Sequence, residues 1–177
     1  MAEAVATLEM VADKNQGSTQ GVGTRKFLTF FLGAEEYGIE ILKVREIIGM
    51  MPITPVPRTP EFIRGVINLR GKVIPVVDLR LKFGMPAVEQ TEETCVIVVQ
   101  ADDVEMGTIV DKVSEVADID SVNIEEAPFF GDEVQTDYIL GLGKSADRVT
   151  LLLDIDKALE TDRVILIPKI ETEKLTA

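Results

Sequence analysis

The apolar residues of this chain come in short runs, and turn-forming residues cut each run before a long helix could form. Residues 27–32 (FLTFFL) are rich in aromatics and read as a strand. A turn at 33–36 (GAEE) leads to 37–41 (YGIEI), where apolar and polar residues alternate as a second strand. Residues 95–100, 104–110 and 113–119 add three strands at close spacing. Residues 138–142 and 148–153 flank a turn at 143–147 as a hairpin, and 164–167 (VILI) read as a closing strand. Helical signals are brief: one turn over 78–84, and a short helix over 155–159 with Asp154 as its N-cap. Residues 41–48 are ambiguous. Apolar positions 41, 44, 47 and 48 suit a helix, but Gly49 and Pro52 stop it, so a turn or short helix leads into a strand over 44–48. The count is nine or ten short strands without a long helix. The expected fold is mainly β, and two small barrels suit that number of strands.

Pro52, Pro55, Pro57 and Pro60 fall within nine residues. Each removes a hydrogen-bond donor and restricts its predecessor, so an extended surface loop is expected there. The loop leads into a hairpin over 62–79, which holds most of the sequence GVINLRGKVIPVVDLR (65–80). Asn68 and Gly71 suit the first and last positions of a type I turn. A two-residue loop at Leu69-Arg70 and one at Arg70-Gly71 put different residues on the core face, and the sequence does not choose between them. Pro75 lies inside the second strand, which requires an edge or a bulge at that point. Leu69 beside Arg70 at the tip suggests a contact surface; the alternative is a tip that folds back and packs. Gly65 would let another backbone come close. Glu46 sits among apolar residues, where a charge is costly unless exposed or matched, so Val44, Arg45 and Glu46 form a second candidate surface. A half-exposed strand accounts for them equally well. Phe129-Phe130 is either a third surface or a core plug.

Ordinary catalytic equipment is missing. The chain has no histidine, which removes the commonest general base and the usual zinc ligand. Ser114 and Ser121 therefore have no histidine partner. The carboxylate pairs Asp118/Asp120, Asp154/Asp156, Glu125/Glu126 and Asp132/Glu133 complete no template, and the stretch from Asp118 lacks the Gly and Glu of an EF-hand loop. Gly21-Val-Gly23 and Gly141-Leu-Gly143 are not followed by a phosphate-loop lysine. No catalysis, metal or cofactor is expected. Cys95, the one cysteine, lies in an apolar run and reads as a small buried hydrophobe.

The net charge of −13 argues against a nucleic-acid partner. It is unevenly placed: residues 25–88 carry ten Lys/Arg against six Asp/Glu, and residues 89–177 carry seven against 22. Such a split fits two halves that meet different partners, or an acidic surface that only aids solubility. No apolar run nears the roughly 20 residues that span a bilayer, and residues 1–24 lack the pattern of a signal peptide, so a cytoplasmic protein is expected. Residues 1–24 read as a disordered tail, with order beginning at Lys26, and 86–93 as a linker.

Residues 65–80 closely resemble the signature of the CheW family, the adaptor proteins of bacterial chemotaxis. Residues 27–47 (FLTFFLGAEEYGIEILKVREI), 60–71 (PEFIRGVINLRG) and 106–116 (MGTIVDKVSEV) resemble the family's other blocks, in the family's order. The resemblance covers roughly residues 26–159 and implies two SH3-like five-stranded β-barrels side by side, with a short C-terminal helix. The division would be a CheW-like domain over 25–160, with a first barrel over about 25–88 and a second over 89–160, the chain ends free to cross between them. Residues 161–177 would be a C-terminal extension. No clean internal repeat marks the duplication.

The implied function is a non-enzymatic adaptor in a signalling array at the inner face of the membrane. It would join the regulatory domain of the histidine kinase CheA to the cytoplasmic tips of methyl-accepting chemoreceptors, without nucleic acid and without inserting into the membrane. Val44, Glu46, Gly65 and Arg70 match positions the family uses for receptor and kinase contacts. Asn68, Leu69 and Gly71 complete the expected partner-binding set. Arg45 stands where the family varies, and no role passes to it. The alternatives are a paralogue serving another two-component pathway, such as surface motility, or a small acidic β-barrel hydrolase. A CheV-type protein is disfavoured, because residues 160–177 are too few for a receiver domain.

Overall fold

The structure, a computed structural model, describes residues 23–128, 136–145 and 147–159. The expected tail up to residue 22, Phe129-Phe130, the strand over 164–167 and the extension lie outside these residues. The elements run β1 (Thr24–Leu32), β2 (Glu35–Glu40), a 3₁₀ turn (Ile41–Lys43), β3 (Val44–Gly49), β4 (Ile63–Leu69), β5 (Lys72–Asp78) and α1 (Leu79–Lys82). They continue with β6 (Cys95–Ala101), β7 (Val104–Val110), β8 (Lys112–Asp120), a 3₁₀ turn (Ser121–Asn123), β9 (Ile124–Glu125), β10 (Ile139–Ser145), β11 (Arg148–Leu153) and α2 (Ile155–Leu159). The fold is mainly β, as expected. β1 begins two residues before Lys26, because Thr24 already pairs with Asp120. β10 runs on through Gly143 to Ser145, so its turn is shorter than expected. Asp154 caps α2 by accepting the Lys157 N–H at 3.2 Å.

Residues 95–99 offer water no polar face, and the strand they form is buried on both sides. β6 lies between β3 and β7 in a five-stranded sheet ordered β3-β6-β7-β5-β4. Cys95, Ile97 and Val99 join a large core with Phe30, Ile39 and Leu153 of the other sheet, while Val96 and Val98 join a smaller core with Ile67, Ile74, Val76 and Ile109. Successive side chains of a strand point to opposite faces, so one apolar run serves both cores. Burial pushes the Cys95 thiol up to about 11, which leaves it an inert hydrophobe.

The second sheet is ordered β8-β1-β2-β11-β10-β9. Among the described residues it has six strands where five were expected; the two-residue β9 has no signal in the sequence. The seam near residue 88 does not divide the sheets. β5 and β6, on either side of it, share one sheet, whereas β1 and β2 belong with β8 to β11. The reason is the parallel pairing of β2 with β11, Glu36 to Ile39 against Thr150 to Leu153, which local turn signals cannot reveal. Over the described residues the linear parts 25–88 and 89–159 carry ten Lys/Arg against six Asp/Glu and four against sixteen, whereas spatially residues 41–111 carry eight against ten and the other part six against twelve. The steep charge contrast of the linear halves is thus largely a product of where the chain was cut. Pro75 meets its requirement: β5 pairs with β7 only from Val76 to Asp78, so Pro75 has β4 alone beside it.

The chain crosses between the two parts at the 3₁₀ turn Ile41–Lys43 and at Asp111, and an ion pair holds each crossing. Lys43 Nζ donates to Asp156 Oδ2 at 2.7 Å. Arg80 Nε lies 2.9 Å from Asp111 Oδ1, and Asp111 Oδ2 accepts the Gly33 N–H at 2.7 Å. A ladder of near-parallel rings, Phe30, Tyr37, Phe83 and Tyr138, spans the same junction with centroids 5.4–5.9 Å apart.

Two outcomes follow from this packing. Ile97→Ala removes a side chain with no exposed surface and should cost roughly 2–5 kcal/mol. Val122→Ser, at a position 89% exposed, should change stability by less than about 0.5 kcal/mol in the same urea melts. The second outcome concerns pH. Burial alone would raise the Asp156 carboxyl, but the Lys43 ammonium and the Asp102 N–H outweigh it and hold it below its ordinary value. A carboxyl depressed in the folded state stabilises above its unfolded value and loses that contribution as pH falls. The stability gap between the parent chain and Asp156→Asn should therefore be open at neutral pH and close below about pH 4, the ordinary Asp value.

Candidate partner-binding site

The hairpin resolves the register that the sequence left open. Leu69 pairs with Lys72, so the loop is Arg70-Gly71, with φ of 52° and 85°. Two left-handed residues make the primed turn that matches strand twist, not the type I turn expected over 68–71. Asn68 still shapes the turn, through Oδ1, which accepts the Gly71 N–H at 2.8 Å. Arg70 takes the left-handed position that Asn or Gly would fill more readily, so a backbone cost is accepted to place a guanidinium at the tip.

That guanidinium does not hang free. Arg70 Nη2 and Nη1 donate to the two carboxylate oxygens of Glu46, the second contact at 3.2 Å. The pair is two-pronged, the geometry that suits a guanidinium and a carboxylate. Its hydrogen bonds and charge raise the Arg70 pKa further, in a group already protonated at working pH. The Arg70 side chain remains 71% exposed and that of Glu46 30%, so the pair is held yet open to solvent. β3 and β4 are the two ends of the five-stranded sheet, and this pair joins them.

The proline loop joins the same two ends through backbone. After β3 the chain crosses to the free edge of β4, where the Thr54 N–H donates to Val66 O and the Val66 N–H to Thr54 O, both at 2.9 Å. Gly65 makes that crossing possible. It has φ of 139°, and a Cβ there would lie 2.1 Å from Thr54 O and 2.9 Å from Pro55 Cα. The close backbone expected at Gly65 is therefore the chain's own, and Gly65 itself is buried.

The structure gathers Asn68, Leu69, Arg70 and Gly71 at one hairpin tip and brings Glu46 against Arg70, while Asn68 and Leu69, adjacent in β4, point to opposite faces of the sheet. Leu69 is half-buried against the smaller core beside Ile48, Met50, Met51 and Ile53, so the tip folds back at Leu69 while Arg70 stays out. Val44 is not presented at all: it lies in the larger core opposite Val99 on β6. Val73, opposite Asn68 and 62% exposed, presents apolar surface on Asn68's side of the hairpin that its place in the run VIPVV concealed. Alternation would have revealed it once the register was known. Gly65→Ala should destabilise by roughly 2–4 kcal/mol through backbone strain and overpacking together, read as a lower melting temperature.

Two β-rich parts packed on a shared core, with a clamped hairpin at the surface, define a paired-barrel class of protein. The family profile for the CheW-like domain matches residues 26–163. The chain is 42% identical to the chemotaxis protein CheW of Klebsiella aerogenes over 157 residues, covering 89% of this chain and 93% of that one. It is 38% identical to CheW of Helicobacter pylori over 138 residues, with 77% and 82% covered. The crystal structure of the scaffolding protein TtCheW from Thermoanaerobacter tengcongensis superposes with a TM-score of 0.72 at 36% identity, covering 78% of this chain and 94% of that one. The chain belongs to the CheW-like family.

Proposed function

We propose that this chain is a non-enzymatic chemotaxis adaptor that bridges the regulatory domain of CheA and the cytoplasmic tips of methyl-accepting chemoreceptors. It works in the cytoplasm, recruited to receptor arrays at the inner face of the membrane. Family membership supports the reading, as do relatives that are themselves chemotaxis and scaffolding proteins. Among the described residues, no helix is long and apolar enough to cross a membrane.

The observation that carries the reading is the exposed pair of Glu46 and Arg70. An exposed ion pair adds little to stability, so the fold alone gives small reason to hold a guanidinium at a strained tip. A partner gives a better one: a desolvated Arg near the centre of an interface is a common source of binding energy. In this reading Glu46, Asn68, Leu69, Arg70 and Gly71 make the contact. Val44 and Gly65 act from inside, one by seating β3 on the core and the other by admitting the Thr54 crossing.

Arg70→Ala should leave the melting temperature nearly unchanged and weaken binding to either the kinase domain or a receptor tip by roughly thirtyfold. Titration calorimetry with each purified partner, beside thermal melts, decides the matter. Normal binding to both partners by the folded variant would refute the proposed contact.

A further inference from the structure

Glu46 faces Arg70 because β3 contains one residue too many. In a regular strand residues 44 and 46 share a face. Val44 lies in the larger core, so a regular β3 would drive the Glu46 carboxylate into that core. Instead Val44 pairs with Val99 and Glu46 with Val98, which leaves Arg45 as an extra residue between them. The strand therefore buries Val44 and Ile47 on one face and turns Glu46 and Ile48 toward the smaller core and the hairpin. Bulges re-aim side chains in this way beside functional sites.

A polar network ties that extra residue to the β6–β7 turn and to α2. Arg45 donates from Nε and Nη2 to Gln100 Oε1, at 3.3 and 3.1 Å. Gln100 Nε2 donates to the carbonyl oxygen of Asp102 at 3.1 Å. Asp102 sits at the β6–β7 turn with φ of 51°, and its N–H donates to Asp156 Oδ1 at 2.8 Å. The other oxygen of Asp156 accepts Lys43 Nζ at 2.7 Å. Lys43 and Arg45 flank Val44, so the network reaches from α2 through the β6–β7 turn to both sides of that residue.

We infer that Arg45, Gln100 and Asp156 are positioning residues: they fix the bulge in β3 and thereby aim Glu46 at Arg70. None of them lies on the hairpin face. The structural claim stands on the geometry of β3, and only its consequence for partner binding rests on the adaptor reading. It also gives Arg45 a role that the resemblance could not supply.

The test uses an isotope-labelled full chain. Glu46→Gln supplies the reference position of the Arg70 Nε–H signal when the ion pair is lost. Gln100→Ala combined with Asp156→Ala should move that signal toward the reference and speed amide exchange at residues 44–47 by roughly tenfold, as the loss of about one net hydrogen bond would. Exchange in β10 and β11 should stay at parent rates, and Asp156→Glu in place of Asp156→Ala should restore part of the shift. An unmoved Arg70 signal in the folded double variant would overturn the inference, and so would exchange that rises equally in both sheets. If the double variant does not fold, Gln100→Ala alone, at a half-exposed side chain, is read against the same two criteria. Binding of the kinase domain and receptor tip is measured alongside. A parent chain that binds neither would refute the adaptor reading while the exchange and Arg70 data still decide the role of the network.

Discussion

The structure depends on a strand that is buried on both faces. β6 gives Cys95, Ile97 and Val99 to a core shared by both sheets, and Val96 and Val98 to a smaller core inside one of them. Burial of this kind is the dominant favourable term in folding, and here one strand supplies it to two places at once. Among the described strands β3 pairs only with β6, so the bulge that places Glu46 is set against that buried strand. A buried core is close-packed and resists small shifts. Glu46 is therefore carried on a strand backed by one buried on both faces.

Polar contacts then settle what the apolar core leaves undecided. An apolar interface is weakly directional, so it brings two sheets together without fixing how they are turned. The ion pairs at the crossings, Lys43 with Asp156 and Arg80 with Asp111, are directional, and the Arg80 pair is the more buried, with its guanidinium side chain 13% exposed. The Tyr37, Phe83 and Tyr138 stack adds flat surfaces that meet at shallow angles. For a protein proposed to bridge two partners, a fixed relation between its parts matters, because coupling requires that a change at one contact be felt at the other.

The hairpin face follows a different rule. Its features cost stability more than they add: left-handed Arg70, the tight Gly65, and a charge on β3 that needs an extra residue to stay clear of the core. Local departures from the best backbone and best pattern gather where function constrains a chain. Arg58, also left-handed at φ of 63°, shows that such a conformation is not confined to this face, so the strain gains meaning from the Glu46 contact and not from the angle alone.

Much of this was legible in one dimension. Short apolar runs with turn residues between them determined a mainly β chain, because strands need period-two patterns and frequent stops. The order of the motif blocks determined the family, and residues 95–99 determined a strand with no wet face. Tertiary structure decided the rest. β1 and β2 lie with β8 to β11 because β2 pairs in parallel with β11, more than 100 residues away, and no local signal encodes so distant a partner. Residues 68–71 allowed two registers, and the core packing of Ile67 and Ile74 accompanies the one that is formed. Val44 and Glu46 look like equal members of a surface in the sequence. Only the bulge at Arg45 sends one inward and the other out, because alternation holds along a strand only until the pairing slips.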